Sequence, residues 1–403
     1  TPQSQLSFDF SPPVQTFFKL CSLENIIETL PKLFPEQQKD VLLAENRFEH
    51  SKGILFTNGT GTGKAQPLSS KILTPTGWTT MGKLKVNDFV IDSEGLPTKV
   101  NAIYPQGKLK IYKVILSDGS STECCQEHLW ETQTLQERRN TTKQKEGRKT
   151  KYPNKWKPKV RSLKSIKNSI DKRHFIPIVK PIKFSEAKLP VDPYTLGALL
   201  GDGSLTTKSI SISTKDIEII RKIENNLPLE IKLVKITHPK KCPQFRFTQK
   251  TILKDKNGWM LPNPFNQKIK ELDLYGKKSN NKFIPSQYLF SSIKQREQLL
   301  QGLMDTDGYI DKRSKSIYYT SVSKELIEGV ESLVNSLGGV CSKTSKIPTY
   351  LYNGKKQTGQ LAFTLCINLP KQFKPFYIKR KLNFYRPNYK YYPKRRTGKL
   401  ICE

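Results

Sequence analysis

The pattern of apolar and polar positions takes three characters in turn along the chain. In LENIIETLPKLF (23–34) and PEQQKDVLLAENRF (35–48) the apolar positions recur at helical spacing, with Pro31 and Pro35 as punctuation, and the apolar run GILFTN (53–58) reads as a buried strand. From 65 to about 135 the runs shorten: KILTPTGW, DFVIDSEG, KIYKVILSDG and STECCQEHLW are strand-length segments broken by Gly, Asp and Pro. That is an all-β pattern. From about 185 to 375 helical and strand periods alternate, and the alternation repeats. PYTLGALLGDGSL (193–205) leads to SISIST and the helical KDIEIIRKIENNL; LLQGLMDTDGYI (299–310) leads to SIYYTSVS and the helical KELIEGVESLVNSLGG. Each unit is an apolar helix ending in an acidic-glycine turn, then strands, then an amphipathic helix. Ile217, Ile220 and Ile223 are expected on the buried face of the first amphipathic helix, and Leu326, Val330 and Leu333 on that of the second. Two copies of one supersecondary unit follow.

The expected organisation has five parts. Residues 1–64 end in a phosphate-type loop, 65–135 are all-β, and 136–184 are a basic linker or DNA-contacting arm with a strand. Residues 185–375 hold the repeat, and 376–403 form a basic, tyrosine-rich tail. The fold class is α+β, multidomain. Thr1 in place of Met, and an abrupt LICE ending, predict a fragment cut at both ends.

Charge narrows the function. The chain has 69 Lys+Arg against 35 Asp+Glu, a net +34 spread through most of its 403 residues. A charge that large repels itself unless an anionic partner neutralises it, and nucleic acid is the expected partner. Seven cysteines without a C-x-x-C pair, and four scattered histidines, argue against a zinc site or a disulfide scaffold. With no apolar run of membrane length and no signal peptide, the expectation is an intracellular, cytoplasmic protein with no membrane partner.

The two apolar helices carry the chemistry. Gly197, Ala198 and Gly201 on the first, and Gly302 and Thr306 on the second, are small enough to let two backbones approach. Each helix ends in Asp-Gly, at Asp202-Gly203 and Asp307-Gly308, 105 residues apart. A packed pair would bring Asp202 and Asp307 together as metal ligands, and Mg²⁺ held there suits phosphodiester hydrolysis. One such turn alone would read as the end of a core helix.

TLGALLGDG and LQGLMDTDG resemble the two signature helices of the LAGLIDADG homing endonucleases in their single-chain form. The resemblance implies a monomeric pseudo-dimer with a pseudo-twofold αββαββα fold. Two curved sheets would straddle duplex DNA, with Asp202 and Asp307 as metal-binding catalytic residues. NKFIPSQYL (281–289) resembles the lysine-bearing segment before the second helix. Lys282 is thereby implicated in polarising water or stabilising transition-state charge.

The remaining segments resemble the parts of an intein in a helicase. GTGTGK carries Gly61, Gly63 and Lys64 of a superfamily 2 helicase phosphate loop, but Ala65 stands where a Mg²⁺-holding Ser or Thr belongs. AQPLSSKILTPTGWTTMGKLKVNDFVIDSEG resembles the first block of the all-β Hint splicing fold, and DGSSTECCQEHLW its histidine block, which implies that 65–135 is the N-terminal part of a splicing domain and 376–403 the incomplete start of its C-terminal part. The loop then reads as interrupted, with Lys64–Ala65 as the splice junction and ATP as cofactor only of the reassembled helicase. Ala65 offers no nucleophile, which matches a subclass that uses a distal cysteine and carries a tryptophan two residues after the block histidine. His128 and Trp130 fit that signature, with His128 expected to activate the scissile amide and Trp130 to orient it. Cys125 stands where a Thr is usual, and Cys402 is the tail's one candidate nucleophile. The other readings are a non-catalytic basic DNA-binding protein and a helicase or ATPase bearing an inactive insertion.

Overall fold

The computed structural model describes residues 66–116, 118–137, 159–169, 173–207, 209–237, 239, 242–252, 254–352 and 354–386, with the backbone of 395–399. Residues 1–65, with both expected amphipathic helices, the strand before the glycine loop, Gly61, Gly63, Lys64 and Ala65, lie outside that set, as does Cys402.

The N-terminal part is built of short strands, as the turn spacing predicts. The hairpins β1 (Lys71–Thr74) with β2 (Gly77–Thr80) and β3 (Phe89–Ile91) with β4 (Pro97–Lys99) stand beside a larger sheet. That sheet contains β5 (Ile111–Leu116), β6 (Ser121–Cys125), β7 (Leu129–Thr134), β8 (Lys159–Ser162) and β9 (His174–Pro177). The short helix α1 (Leu163–Lys167) follows β8, capped by the Ser162 side chain. Two strands of the segment expected as a basic arm therefore belong to this sheet. Its sixth strand comes from the far end of the chain: β20 (Arg395–Lys399) lies between β5 and β9, pairing Gly398 with Leu116 and with His174. Everything between β9 and β20 is thus carried within one β-sheet domain.

That intervening region is the repeat. Its first half runs α2 (Pro193–Asp202), β10 (Gly203–Ser204), β11 (Ser211–Ser213), α3 (Ile217–Glu224), β12 (Ile231–Ile236), β13 (Gln244–Gln249) and α4 (Pro264–Glu271). A short α5 (Ser286–Leu289) leads to the second half: α6 (Ile293–Thr306), β14 (Gly308–Ile310), β15 (Ile317–Ser321), α7 (Lys324–Ser336), β16 (Val340–Lys346), the hairpin β17 (Thr349–Tyr352)–β18 (Lys355–Thr358), β19 (Ala362–Asn368) and α8 (Lys379–Leu382). Both halves follow αββαββα. Their sheets have the same order, β10-β11-β13-β12 and β14-β15-β19-β16, and all their ladders are antiparallel. The second half ends at α8, beyond the expected limit at 375.

Local signals explain the helix starts. Asp192 accepts from Thr195 N and Pro193 occupies the first turn of α2; Ser292 and Gln295 form a reciprocal capping box on α6. One core, shared by both halves, holds the apolar faces together. Leu326, Val330 and Leu333 are buried as expected. On α3 the buried face is Ile219, Ile220 and Ile223, whereas Ile217 is exposed. Ile217 opens the helix after Asp216, so its side chain falls at the start of the first turn, before the buried stripe is established.

Candidate active site

The two signature helices cross at their small residues. A Cβ on Gly197 would lie 2.3 Å from Leu299 O, and one on Gly302 would lie 2.2 Å from Tyr194 O. At the acidic end, a Cβ on Gly201 would lie 2.0 Å from Thr306 Oγ1 and 3.5 Å from Asp307 Oδ2. Only glycine permits this approach, and it brings Asp202 and Asp307 to one end of the pair.

Both carboxyls are costly to ionise there. Burial pushes Asp202 up, partly opposed by Lys282 and Lys381. Burial, then the Asp202 charge, push Asp307 up to about 6. Asp202 is nonetheless exposed and Asp307 half-buried, so the pair lies open at the helix terminus, and two carboxylates that repel each other there form a donor set that a divalent cation would satisfy. A third group belongs to the same field. Tyr319 is fully buried, its hydroxyl has no hydrogen-bond partner among the described residues, and its ionisation is opposed first by burial and then by Asp307 and Asp202. An orphaned hydroxyl beside two carboxylates fits a site whose hydrated cation completes the hydrogen bonding. Among the described residues no group of three or more His, Cys, Asp or Glu side chains is arranged to hold a metal ion.

Two buried lysines brace the aspartates. Lys282 Nζ donates to Leu199 O (2.9 Å), Gly201 O (3.0 Å) and Gly203 O (2.8 Å), which closes the C-terminus of α2. Lys381 Nζ does the same for α6, donating to Met304 O (2.8 Å), Asp305 O (2.6 Å), Thr306 O (3.2 Å) and Gly308 O (2.6 Å). A cation on the carbonyl end of a helix is favoured by the macrodipole and satisfies orphan acceptors. Burial lowers both ammonium groups to about 8; Asp307 and Asp202 oppose this at Lys282, and Asp305 foremost at Lys381. Sequence reasoning singled out Lys282 and missed Lys381, which lies in a lysine-rich tail.

Asp305 was also missed. Its buried carboxylate accepts from Tyr194 Oη (2.7 Å) and from the backbone N–H groups of Tyr377 and Ile378, and burial raises it to about 6. The segment it holds carries Lys381. Arg380, beside that lysine, pairs in a bidentate manner with Asp216, at 3.0 and 2.7 Å.

A second constellation lies in the β-sheet domain. His128 and Trp130 pack edge to face, with ring centroids 5.4 Å apart at 66°. His128 N donates to Cys125 O (3.2 Å), so the three expected residues are neighbours, with Cys125 buried. His174, not singled out from sequence, is buried on β9, with Nδ1 3.1 Å from Thr132 Oγ1 and Nε2 2.9 Å from Ser169 Oγ.

Residues 294–364 match the LAGLIDADG-like domain family. The chain is 28% identical to the replicative DNA helicase DnaB of Mycobacterium intracellulare over 337 residues, covering 81% of this chain and 51% of that protein. It spans about half the length of that curated relative. Among solved structures, the gp41-1 intein is 35% identical over 18% of this chain and 56% of its own, with a TM-score of 0.17. Mesophilic variants of the homing endonuclease I-DmoI are 16% identical over 45% of this chain and 83% of theirs, with a TM-score of 0.29. The family match lies within the second half of the repeat, over α6 to β19.

Proposed function

We propose, for a chain whose residues 294–364 match the LAGLIDADG-like domain family, that the repeat region is a homing endonuclease cutting both strands of duplex DNA, carried within an intein that interrupts a helicase. The observation that carries the reading is the convergence of Asp202 and Asp307 at one end of a glycine-crossed helix pair, braced by Lys282 and Lys381. Asp202 and Asp307 would hold Mg²⁺, which when bound supplies charge stabilisation for the attacking and leaving oxygens of a phosphodiester hydrolysis.

The chain's own groups set the rest. The glycine crossing fixes the separation of the carboxylates. The lysine protons are committed to helix carbonyls, which favours a role in stabilising transition-state charge through their field over direct polarisation of water. The twofold repeat supports a monomer that addresses both DNA strands, and the net +34 supports a long phosphate footprint in an intracellular setting.

The interposition of β20 between β5 and β9 supports the splicing part, because it returns the chain's end to the sheet bearing His128, Trp130 and Cys125. His128 would act on the Lys64–Ala65 amide and Trp130 would orient it. The reassembled helicase would take ATP through the phosphate loop completed after excision.

The test is selection of cut sites from a randomised plasmid library, with Mg²⁺ or with EDTA. Enrichment of one linearised target with Mg²⁺ alone supports the endonuclease. Retention of DNA without any cutting would favour a non-catalytic DNA-binding protein.

A further inference from the structure

The two site lysines are held by different chemistry, although the repeat relates them. Lys282 is anchored through its backbone: Ser323 Oγ, at the N-terminus of α7, donates to Lys282 O (2.6 Å). The segment bearing Lys381 is anchored by carboxylates. Asp305 accepts from Tyr377 N (3.1 Å) and Ile378 N, and its other tie is Tyr194 Oη on the opposite signature helix. Asp216 clamps Arg380, and Glu218 accepts from Lys379 N (3.1 Å). In the first half the position equivalent to Asp305, counted from the two Asp-Gly turns, is Leu200, which is buried in the shared core. The first half therefore has no counterpart to the Asp305 anchor.

Resting on the endonuclease reading above, we infer that Asp305 is a positioning residue for Lys381, and that through it the two halves differ in how they cut the two strands. The approximate twofold axis between the halves would coincide with the dyad of duplex DNA, so each lysine serves one strand's scissile phosphate. Asp305 touches neither DNA nor cation in this account. It fixes the approach of the 376–381 segment to the end of α6. Replacing it by its own counterpart, Asp305→Leu, leaves the N–H groups of Tyr377 and Ile378 without their acceptor in an apolar setting, so the segment must shift to find another. Lys381 then loses register with Met304 O, Thr306 O and Gly308 O. Lys282, held by Ser323, keeps its place.

The experiment uses the full chain and a duplex target taken from the plasmid selection, with each strand labelled at a different end. Asp305→Leu is expected to slow cleavage of one strand at least tenfold more than the other, so nicked product accumulates. Lys381→Ala should slow the same strand, and Lys282→Ala the opposite one. The double variant Asp305→Leu/Lys381→Ala should be no slower on that strand than Lys381→Ala alone. Asp305→Asn, which retains an acceptor for the two N–H donors, should restore the strand ratio to within threefold of the parent. Tyr194→Phe, which removes one donor and leaves the fold's packing in place, should bias the strands in the same sense by a smaller factor and serves if Asp305→Leu does not fold. Equal slowing of both strands by Asp305→Leu or Tyr194→Phe in a folded protein overturns the inference, as does an additive double variant. If the parent chain cuts no library member, the endonuclease reading itself fails, and that outcome is distinct from these.

Discussion

Gly197 on one signature helix sits against Gly302 on the other so closely that a Cβ on Gly197 would come 3.1 Å from Gly302 Cα and 2.3 Å from Leu299 O. The obstructing atoms are backbone, which cannot rotate away. Gly302→Val is expected to cost roughly 3 kcal/mol or more, at the upper end of overpacking. Because the helix pair shares its core with both halves, a urea melt should show the loss as a lower midpoint for the whole repeat region. A parent-like midpoint would mean that the helices separate easily.

The aspartate pair predicts a pH-dependent penalty. An unfolded Asp titrates near 4, whereas burial and Asp202 raise Asp307 to about 6 in the fold. Between those values the folded chain holds a proton that the unfolded chain has lost. Stability from this group therefore falls as pH rises through that window and remains reduced above about 6. In EDTA, Asp307→Asn should be more stable than the parent at pH 7.5, by on the order of 2 kcal/mol, and the gap should close toward pH 4. Mg²⁺ should raise the parent's melting temperature and leave the variant's unchanged. A constant gap across the range would remove the mutual repulsion from the account.

DNA affinity is expected to fall steeply with salt. Net +34 implies many phosphate contacts, each releasing a counterion, so log K should fall linearly with log salt at a slope of about −0.9 per neutralised phosphate. Fluorescence anisotropy between low and physiological salt measures it. A flat profile would assign the charge to another partner.

Splicing is expected to depend on the edge-to-face pair. In a chain competent for splicing, Ala65→Gly should leave cleavage at Lys64–Ala65 intact. His128→Ala should slow it by roughly a hundredfold, within the range of general acid–base catalysis. Trp130→Ala should slow it less, because Trp130 acts by packing on the His128 ring. Cys402→Ala should abolish cleavage if that thiol is the displaced nucleophile. Mass spectrometry of the products reads each outcome, and normal excision with Cys402→Ala would place the nucleophile elsewhere.

The signature helices were legible in the sequence because their constraint is local: small residues at helical spacing, followed by Asp-Gly, state both the close crossing and the acidic terminus. His128 and Trp130 were singled out through the resemblance, as a histidine just before β7 and a tryptophan two residues on. Lys381 was not legible. Its four acceptors are carbonyls more than 70 residues earlier, and no local spacing marks one lysine of the run KRK as buried. Asp305 was hidden by Asp307, whose turn position offered a simpler reason for the acidic pair. The resemblance assigned 376–403 to the same domain as 65–135, but the pairing of β20 with β5 and β9 was beyond sequence reading, since a basic five-residue segment shows no pairing partner until the sheet closes.

The most direct measurement compares cutting and binding of one selected duplex by the parent, Asp202→Asn and Asp307→Asn in Mg²⁺. The parent is expected to cut both strands. Each variant should bind within about threefold of the parent, because affinity comes from cationic contacts to phosphate. Each should cut at least a hundredfold more slowly, because one of the two groups that hold the cation is gone. Full-rate cutting by either variant would contradict the assignment of this helix-pair terminus as the active site.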